Sequence, residues 1–179
     1  YHIAEKLGTG KGVCVVEKDP QYRKASAVLS AGGIRQQFSG AENIAMSLYG
    51  VDFISNTERL QVEGEEPPDM QFFHGGYLFL GTEKSVGVMK ENNAVQHAAG
   101  CDWIHLLKPD QLQCIFPWLM TDDLALGSYG TRNEGWFDPW SLITSLRKKI
   151  KAQGVSVIDG TVCGMKGARS GSEVGVEKV

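Results

Sequence analysis

Val13-Cys14-Val15-Val16-Glu17-Lys18, followed by Ser26-Ala27-Val28-Leu29-Ser30-Ala31-Gly32-Gly33, is the stretch on which the fold turns. A short apolar run ending in a carboxylate reads as a buried parallel strand that delivers Glu17 to the rim of a sheet. In dinucleotide-binding folds an acid at that rim accepts hydrogen bonds from an adenosine ribose. The Ser/Gly segment beyond it brings hydroxyls and close-lying backbone N–H groups to a pyrophosphate or a flavin. Upstream, Tyr1 to Leu7 reads as the tail of a helix that Gly8 or Gly10 closes. The expectation is therefore a fragment that begins inside a βαβ unit, after its phosphate-binding turn.

Composition narrows the function classes. With 42% hydrophobic and 22% charged residues in 179, the chain has the make-up of an ordinary globular protein with one substantial core or parts of two lobes. A net charge of −3 argues against a general nucleic-acid surface, which would be basic. No apolar run approaches the ~20 residues that cross a bilayer, so no transmembrane segment is expected, and no basic-then-apolar leader stands at Tyr1. Cys14, Cys101, Cys114 and Cys163 are scattered without a C-x-x-C pair and read as buried free thiols. His2, His74, His97 and His105 show no ligand spacing with them, and no metal is assigned.

Along the chain, Gly8-Thr9-Gly10-Lys11-Gly12 follows a helix and precedes a strand, the reverse of a phosphate loop, and reads as a turn. Apolar residues at Ile44, Leu48, Val51 and Ile54 predict a helix from about Ala41 to Glu63. After the polar Glu63–Asp69 connection, Gly75-Gly76 between Gln71–His74 and Tyr77–Gly81 predicts a hairpin or bulge. A helix over Glu83–Ala99, a strand at Trp103–Leu107, a short helix stopped by Pro117 and a strand at Leu124–Tyr129 follow. Asp138-Pro139 opens the clearest helix, with Leu142, Leu146 and Ile150 as its stripe and Gly154 as its stop. Strands are expected at Val155–Ile158, at Thr161–Met165 and over Glu173–Val179. An insert between two pieces of one nucleotide-binding sheet would put a substrate lobe over the cofactor.

In this order, V-C-V-V-E-K-D, A-S-A-V-L-S-A-G-G-I, H-G-G-Y-L-F-L, E-G-W-F-D-P-W and G-V-S-V-I-D-G-T-V resemble the FAD-dependent D-amino-acid oxidase, glycine oxidase and sarcosine dehydrogenase superfamily. Within it, L-S-A-G-G-I-R-Q-Q-F-S, K-P-D-Q-L-Q-C-I-F-P-W and Y-G-T-R-N-E-G-W-F-D-P-W resemble a mitochondrial member linked to assembly of respiratory complex I. The likeness runs to about Val162 and is weakest after Lys166.

The resemblance implies an α/β fold. A Rossmann-like FAD-binding sheet, incomplete because the N-terminal G-x-G-x-x-G unit is missing, carries an inserted β-rich α+β substrate lobe. The implied boundaries are 1–70 and 135–179 for the FAD-binding parts and 71–134 for the insert. FAD is the implied cofactor. Glu17 would bind the adenosine ribose with Lys18 beside the adenine, Ser26 and Ser30 would face the pyrophosphate, and Gly32, Gly33 and Ile34 would pass the isoalloxazine. Val162 would lie against the adenine. The implied activity is oxidation of a C–N bond of an amino acid or N-methyl amino acid, so a small-molecule amine is one partner. Respiratory complex I subunits are the other, in a mitochondrial protein on the inner membrane or matrix side. A flavin-binding assembly factor with little or no turnover is the alternative.

The residues by themselves leave plainer readings beside these. Glu17 also reads as a solvated strand-end acid, and Ser26 and Ser30 as turn hydroxyls. Arg35, Gln36 and Gln37 form a polar cluster just past the glycines. They read either as substrate-side groups, with Arg35 binding a carboxylate through two parallel hydrogen bonds, or as surface residues. Trp136, Phe137 and Trp140 read as core beside a helix start, and Asp138 as that helix's cap.

Overall fold

The structure is a computed structural model that describes residues 1–164. In chain order the elements are α1 (His2–Leu7), β1 (Cys14–Glu17), β2 (Gly33–Ile34), α2 (Ala41–Ser55), β3 (Tyr77–Gly81) and α3 (Val86–Ala98). They continue with β4 (Ile104–Leu107), α4 (Pro109–Ile115), β5 (Leu126–Gly130), β6 (Gly135–Trp136), α5 (Pro139–Ala152) and β7 (Ser156–Asp159). Short 3-10 turns stand at Thr57–Leu60 and Glu83–Ser85. The backbone gathers into two compact units. The first holds Tyr1–Ser30, Glu58–Pro68 and the chain from Pro139 on; the second holds Ala31–Thr57 and Asp69–Asp138. Residues 31–57, which the sequence joins to the first cofactor-binding piece, thus fold with the β-rich insert, and the Ser/Gly segment divides between Ser30 and Ala31.

In the first unit β1 and β7 pair in parallel, with Val16 opposite Ile158 and Glu17 opposite Asp159. A parallel pair requires a crossover, and α5 supplies its last limb. Pro139 at the first helical position loses no needed donor, the basic Lys149 and Lys151 lie in the last turn, and Gly154 at φ 89° ends the helix. Ala4, Ile150 and Val155 form the buried cluster under the pair, flanked by Tyr1, Val13 and Val157. Gly10 is required there, since a Cβ would stand 2.5 Å from the Val155 amide nitrogen and 2.7 Å from the Gln153 carbonyl oxygen.

The sequence expectation of a buried β1 is corrected. Cys14 and Val15 are exposed while Val16 and Glu17 are half-buried, because among the described residues β7 is the one strand paired with it. The thiol expectation is corrected too: Cys101 is buried, but Cys14, Cys114 and Cys163 are exposed.

In the second unit β3, β5 and β4 form an antiparallel sheet in that spatial order, with Phe79 and Leu106 both opposite Ser128. A second, minimal ladder joins β2 to β6, pairing Gly33 with Trp136 and Ile34 with Gly135. Ile44, Cys101 and Ile104 make the innermost cluster, with Phe38, Leu48, Val95, Ala99 and Trp103 around it. Each such aliphatic side chain taken from water stabilises the unit by roughly 1.5–3 kcal/mol.

Four further sequence expectations change. α2 stops at Ser55, capped by Asn56, rather than running to Glu63. Gln71–His74 does not form a hairpin with β3: Phe73 bridges Trp136, while β3 pairs with β5, about fifty residues on. Trp136 and Trp140 are 50% and 46% exposed, not core. Residues 161–164 form no strand, and the expected strand over Glu173–Val179, like Met165, lies outside the described residues. No helix among the described residues is long and apolar enough to cross a membrane.

Candidate functional site

Glu17 ends β1 at the carboxyl edge of the parallel pair, and its carbonyl oxygen accepts the Gly160 N–H at 3.0 Å. Its side chain bends onto the following turn, where Oε1 accepts the Asp19 N–H at 2.8 Å. Asp19 in turn accepts the N–H groups of Gln21 and Lys24, and Arg147 of α5 clamps the same turn by donating to the Pro20 carbonyl and lying 5.4 Å from the Tyr22 ring centroid. Glu17 is thus held, and its second carboxylate oxygen has no hydrogen-bond partner among the described residues.

The 25–30 segment is a tight turn in which the N–H groups of Val28, Leu29 and Ser30 bond back to Ala25 and Ala27. The N–H groups of Ser26 and Ala27, at its start, have no partner among the described residues, and the Ser26 side chain is exposed. Ser30 and Lys18 are exposed, as is Val162, which follows β7 on the carboxyl edge. A free carboxylate oxygen, an exposed hydroxyl and unpaired turn amides suit sugar hydroxyls and a phosphate oxygen respectively, so the first unit's residues fit the adenosine-diphosphate half of FAD.

In the second unit Gly32, at φ 69°, and the exposed Gly33 carry the chain into β2. A Cβ at Gly33 would meet nothing nearer than the Tyr77 ring at 3.6 Å, which leaves a bare backbone surface of the kind a flat ring lies along. Ile34 is half-buried.

One position further along the β2–β6 register, Arg35 stands across from Glu134. Glu134 is wholly buried: Oε1 accepts the Gln36 N–H and Oε2 accepts the Gln37 side-chain amide, each at 2.8 Å. Burial raises its carboxyl pKa above the usual range, opposed by the Gln37 and Gln36 hydrogen bonds and then by the Arg35 charge.

Gln37 also donates to the Tyr77 carbonyl at 2.8 Å and accepts from the Ser128 hydroxyl at 2.6 Å. Gln36, wholly buried, donates to Ser47 at 3.2 Å. The two glutamines are therefore internal ties and offer no open donor. Arg35 differs. Its guanidinium carbon lies 5.0 Å from the Phe38 ring centroid and 5.3 Å from those of Tyr77 and Phe79. Its Nε is buried without a partner, and the group makes no ion pair or hydrogen bond through its side chain among the described residues. Ring faces hold the cation where a carboxylate usually would. A cavity of about 250 Å³ opens among β3, β5 and α3, walled by Gln37, Phe79, Met89, Asn92, Gln96 and Ser128; Arg35 does not line it, and Phe79 is the ring it shares with the Arg35 cage.

Family comparison decides the assignment. The model of the family described as FAD dependent oxidoreductase (DAO) matches residues 1–179. The chain belongs to the FAD-dependent oxidoreductase family. Among its curated relatives, FAD-dependent oxidoreductase domain-containing protein 1 of Xenopus laevis is 51% identical over 151 residues, covering 84% of this chain and 30% of the relative. The homolog in Drosophila melanogaster is 39% identical over 162 residues, covering 90% and 31%. The chain thus spans about a third of the length of these relatives. Among solved structures, L-proline dehydrogenase from P. horikoshii superposes with a TM-score of 0.71 at 25% identity, over 92% of this chain and 42% of that one. Glycine oxidase from Geobacillus kaustophilus gives 0.68 at 16% identity, over 86% and 42%. The expected α/β fold of FAD-binding oxidoreductases is the fold found.

Of the expected site residues, Glu17, Lys18, Ser26, Ser30 and Val162 belong to the first unit, and Gly32, Gly33, Ile34, Arg35, Gln36 and Gln37 to the second. The sequence reading missed Glu134. In Asn133-Glu134-Gly135 it looks like a solvated turn acid; its one signal was standing directly before the E-G-W-F-D-P-W glycine.

Proposed function

We propose that the protein oxidises a C–N bond of an amino acid or N-methyl amino acid whose carboxylate is held by Arg35. The observation that carries this is the caged guanidinium: a half-buried cation fixed by Phe38, Tyr77 and Phe79, with its hydrogen-bonding fork not engaged by any described residue. An arginine left unpaired beside ring faces binds a planar carboxylate through two parallel bonds, each charge-assisted and worth about 1.5–3 kcal/mol.

In the first unit Glu17 would hold the ribose of FAD, with the Ser26 hydroxyl and the turn amides at its pyrophosphate; in the second, the Gly32–Ile34 backbone offers a surface for a flat ring. When bound, the flavin supplies the hydride acceptor. The chain's own contribution is orientation. Arg35 would fix the carboxylate and so the bond next to it, while the Tyr77 hydroxyl, 3.8 Å from where a Gly33 Cβ would be and without a partner among the described residues, offers a second donor.

The test is the full-length protein. It should purify with, or take up, FAD, and its flavin band should bleach anaerobically with members of a panel of glycine, sarcosine and L-proline. Methylamine, dimethylamine and pyrrolidine, which lack the carboxylate, should leave it oxidised. A folded protein that takes up no FAD, or one bleached equally by both sets, refutes the reading.

A second reading, an assembly factor in the mitochondrion that contacts respiratory complex I subunits, draws support from one feature. Ile115, which ends α4, and Trp118 and Met120 beyond it are 47%, 78% and 76% exposed, near the acidic Asp122 and Asp123 in the chain. Such an apolar tip suits docking to a partner with a basic rim. Bound flavin that no panel member reduces, with subunit binding lost on Trp118→Ala, would favour it.

A further inference from the structure

We infer that Glu134 is the positioning residue for Arg35: its buried carboxylate fixes the 35–37 backbone and thereby the point at which the guanidinium meets a substrate carboxylate. The inference rests on the reading of Arg35 proposed above and adds a residue to it.

Glu134 holds this segment from both sides. One oxygen takes the Gln36 backbone N–H, immediately after Arg35, and the other takes the Gln37 amide. Through Gln37 the tie extends to the Tyr77 carbonyl, and the Glu134 carbonyl itself accepts the Gly76 N–H at 3.1 Å. Gly76 and Tyr77 open β3, whose Tyr77 and Phe79 rings form two walls of the Arg35 cage. One carboxylate therefore sets both the backbone that carries the arginine and the strand that carries its cage. On the far side, the Ser47 hydroxyl donates to the Arg35 carbonyl oxygen.

The chemistry requires an acid. Both oxygens accept N–H bonds, and a glutamine would turn one –NH2 toward the Gln37 –NH2. Gln37 cannot flip to compensate, because its oxygen would then face the Tyr77 carbonyl. Nor does Glu134 neutralise Arg35 by direct pairing: no ion pair joins them, although the arginine charge reaches the carboxyl electrostatically. The acid acts on position and leaves the guanidinium fork available.

The experiment uses the full-length protein with FAD bound and acetate as the carboxylate probe, its dissociation constant read from the perturbed flavin spectrum. Glu134→Gln should weaken acetate about tenfold, the loss of a charge-assisted hydrogen bond. Arg35→Lys, which keeps the charge but loses the fork, should weaken it by about the same factor. In the Arg35→Lys background, Glu134→Gln should cost less than about twofold, because a residue acting through another is non-additive with it. Equal losses in both backgrounds, or unchanged binding in a folded Glu134→Gln variant, overturn the inference. The second outcome leaves the Arg35 reading standing if Arg35→Lys still weakens acetate. Acetate that leaves the wild-type spectrum unmoved, or binding indifferent to Arg35→Lys, removes that reading and the inference with it. Should Glu134→Gln fail to fold, Gln37→Met cuts one of the two ties and must show the same dependence on background.

Discussion

A Cβ at Gly130 would overlap Oε2 of Glu134, so the glycine is the space into which the carboxylate folds. Gly130 also ends β5 in register with Tyr77 and Ile104, and the sheet edge and the buried acid are thereby built together. Gly130→Ala must displace the carboxylate and break its bonds to Gln36 and Gln37. The expected cost is about 2–4 kcal/mol, to be read from urea unfolding. Unchanged stability would mean that the acid has another place to go.

Burial makes Glu134 a source of pH dependence with an uncommon sign. Its folded pKa lies above the ordinary 4.5, so the folded state keeps the proton over a range where the unfolded chain has lost it. The contribution to stability is full below the unfolded value and falls as pH rises through the folded pKa. Glu134→Gln does not titrate. The stability advantage of wild type over that variant should therefore shrink as pH rises from below the ordinary carboxyl range to above it. Unfolding curves of both proteins across that range check it; an advantage that grows with pH would contradict the direction of the shift.

For Glu17 the turn-ordering role and the proposed cofactor-binding role separate experimentally. Its bond to the Asp19 N–H orders the turn, and the loss of that bond in Glu17→Ala should cost about 1 kcal/mol of stability in the FAD-free protein. Its other oxygen would hold a ribose hydroxyl, so FAD affinity should fall about tenfold or more, with Glu17→Gln in between. Quenching of FAD fluorescence on binding measures it. Equal affinity in Glu17→Ala and wild type would leave Glu17 as a turn-ordering acid.

Gly10 faces backbone rather than a flexible side chain. A methyl there collides with the Val155 nitrogen and the Gln153 carbonyl, where the Gly10 N–H donates at 2.7 Å. Gly10→Ala should cost roughly 3 kcal/mol or more, and the thermal midpoint should fall by several degrees. By contrast Gly12→Ala, at φ 83° with nothing within 4 Å, should cost only the strain of its backbone, about 1 kcal/mol.

Much of the fold was legible because its signals are local. Asp138-Pro139 and Gly154 bracket α5, Gly100 follows α3, and Pro109 and Pro117 bound α4, each through a residue whose own backbone preferences start or stop a helix. The apolar run ending at Glu17 marked β1 in the same way. The partner of β3 was not legible. Gly75-Gly76 does make a turn, with the Gly75 N–H on the Phe73 carbonyl, but the chain beyond it pairs with β5. Turn chemistry says where a chain bends and does not choose its partner strand.

The sequence by itself determined the family, the parallel strand bearing Glu17 and the placing of Arg35 just past the glycine turn, because each is written in contiguous residues whose chemistry acts within a few positions. Only the tertiary structure decided what Arg35, Gln36 and Gln37 do. Glu134, nearly a hundred residues away, draws both glutamines inward, and rings from β3 close around the arginine. Whether a polar side chain is an internal tie or an open hand depends on which distant groups desolvate it, and the chain must fold before those groups meet.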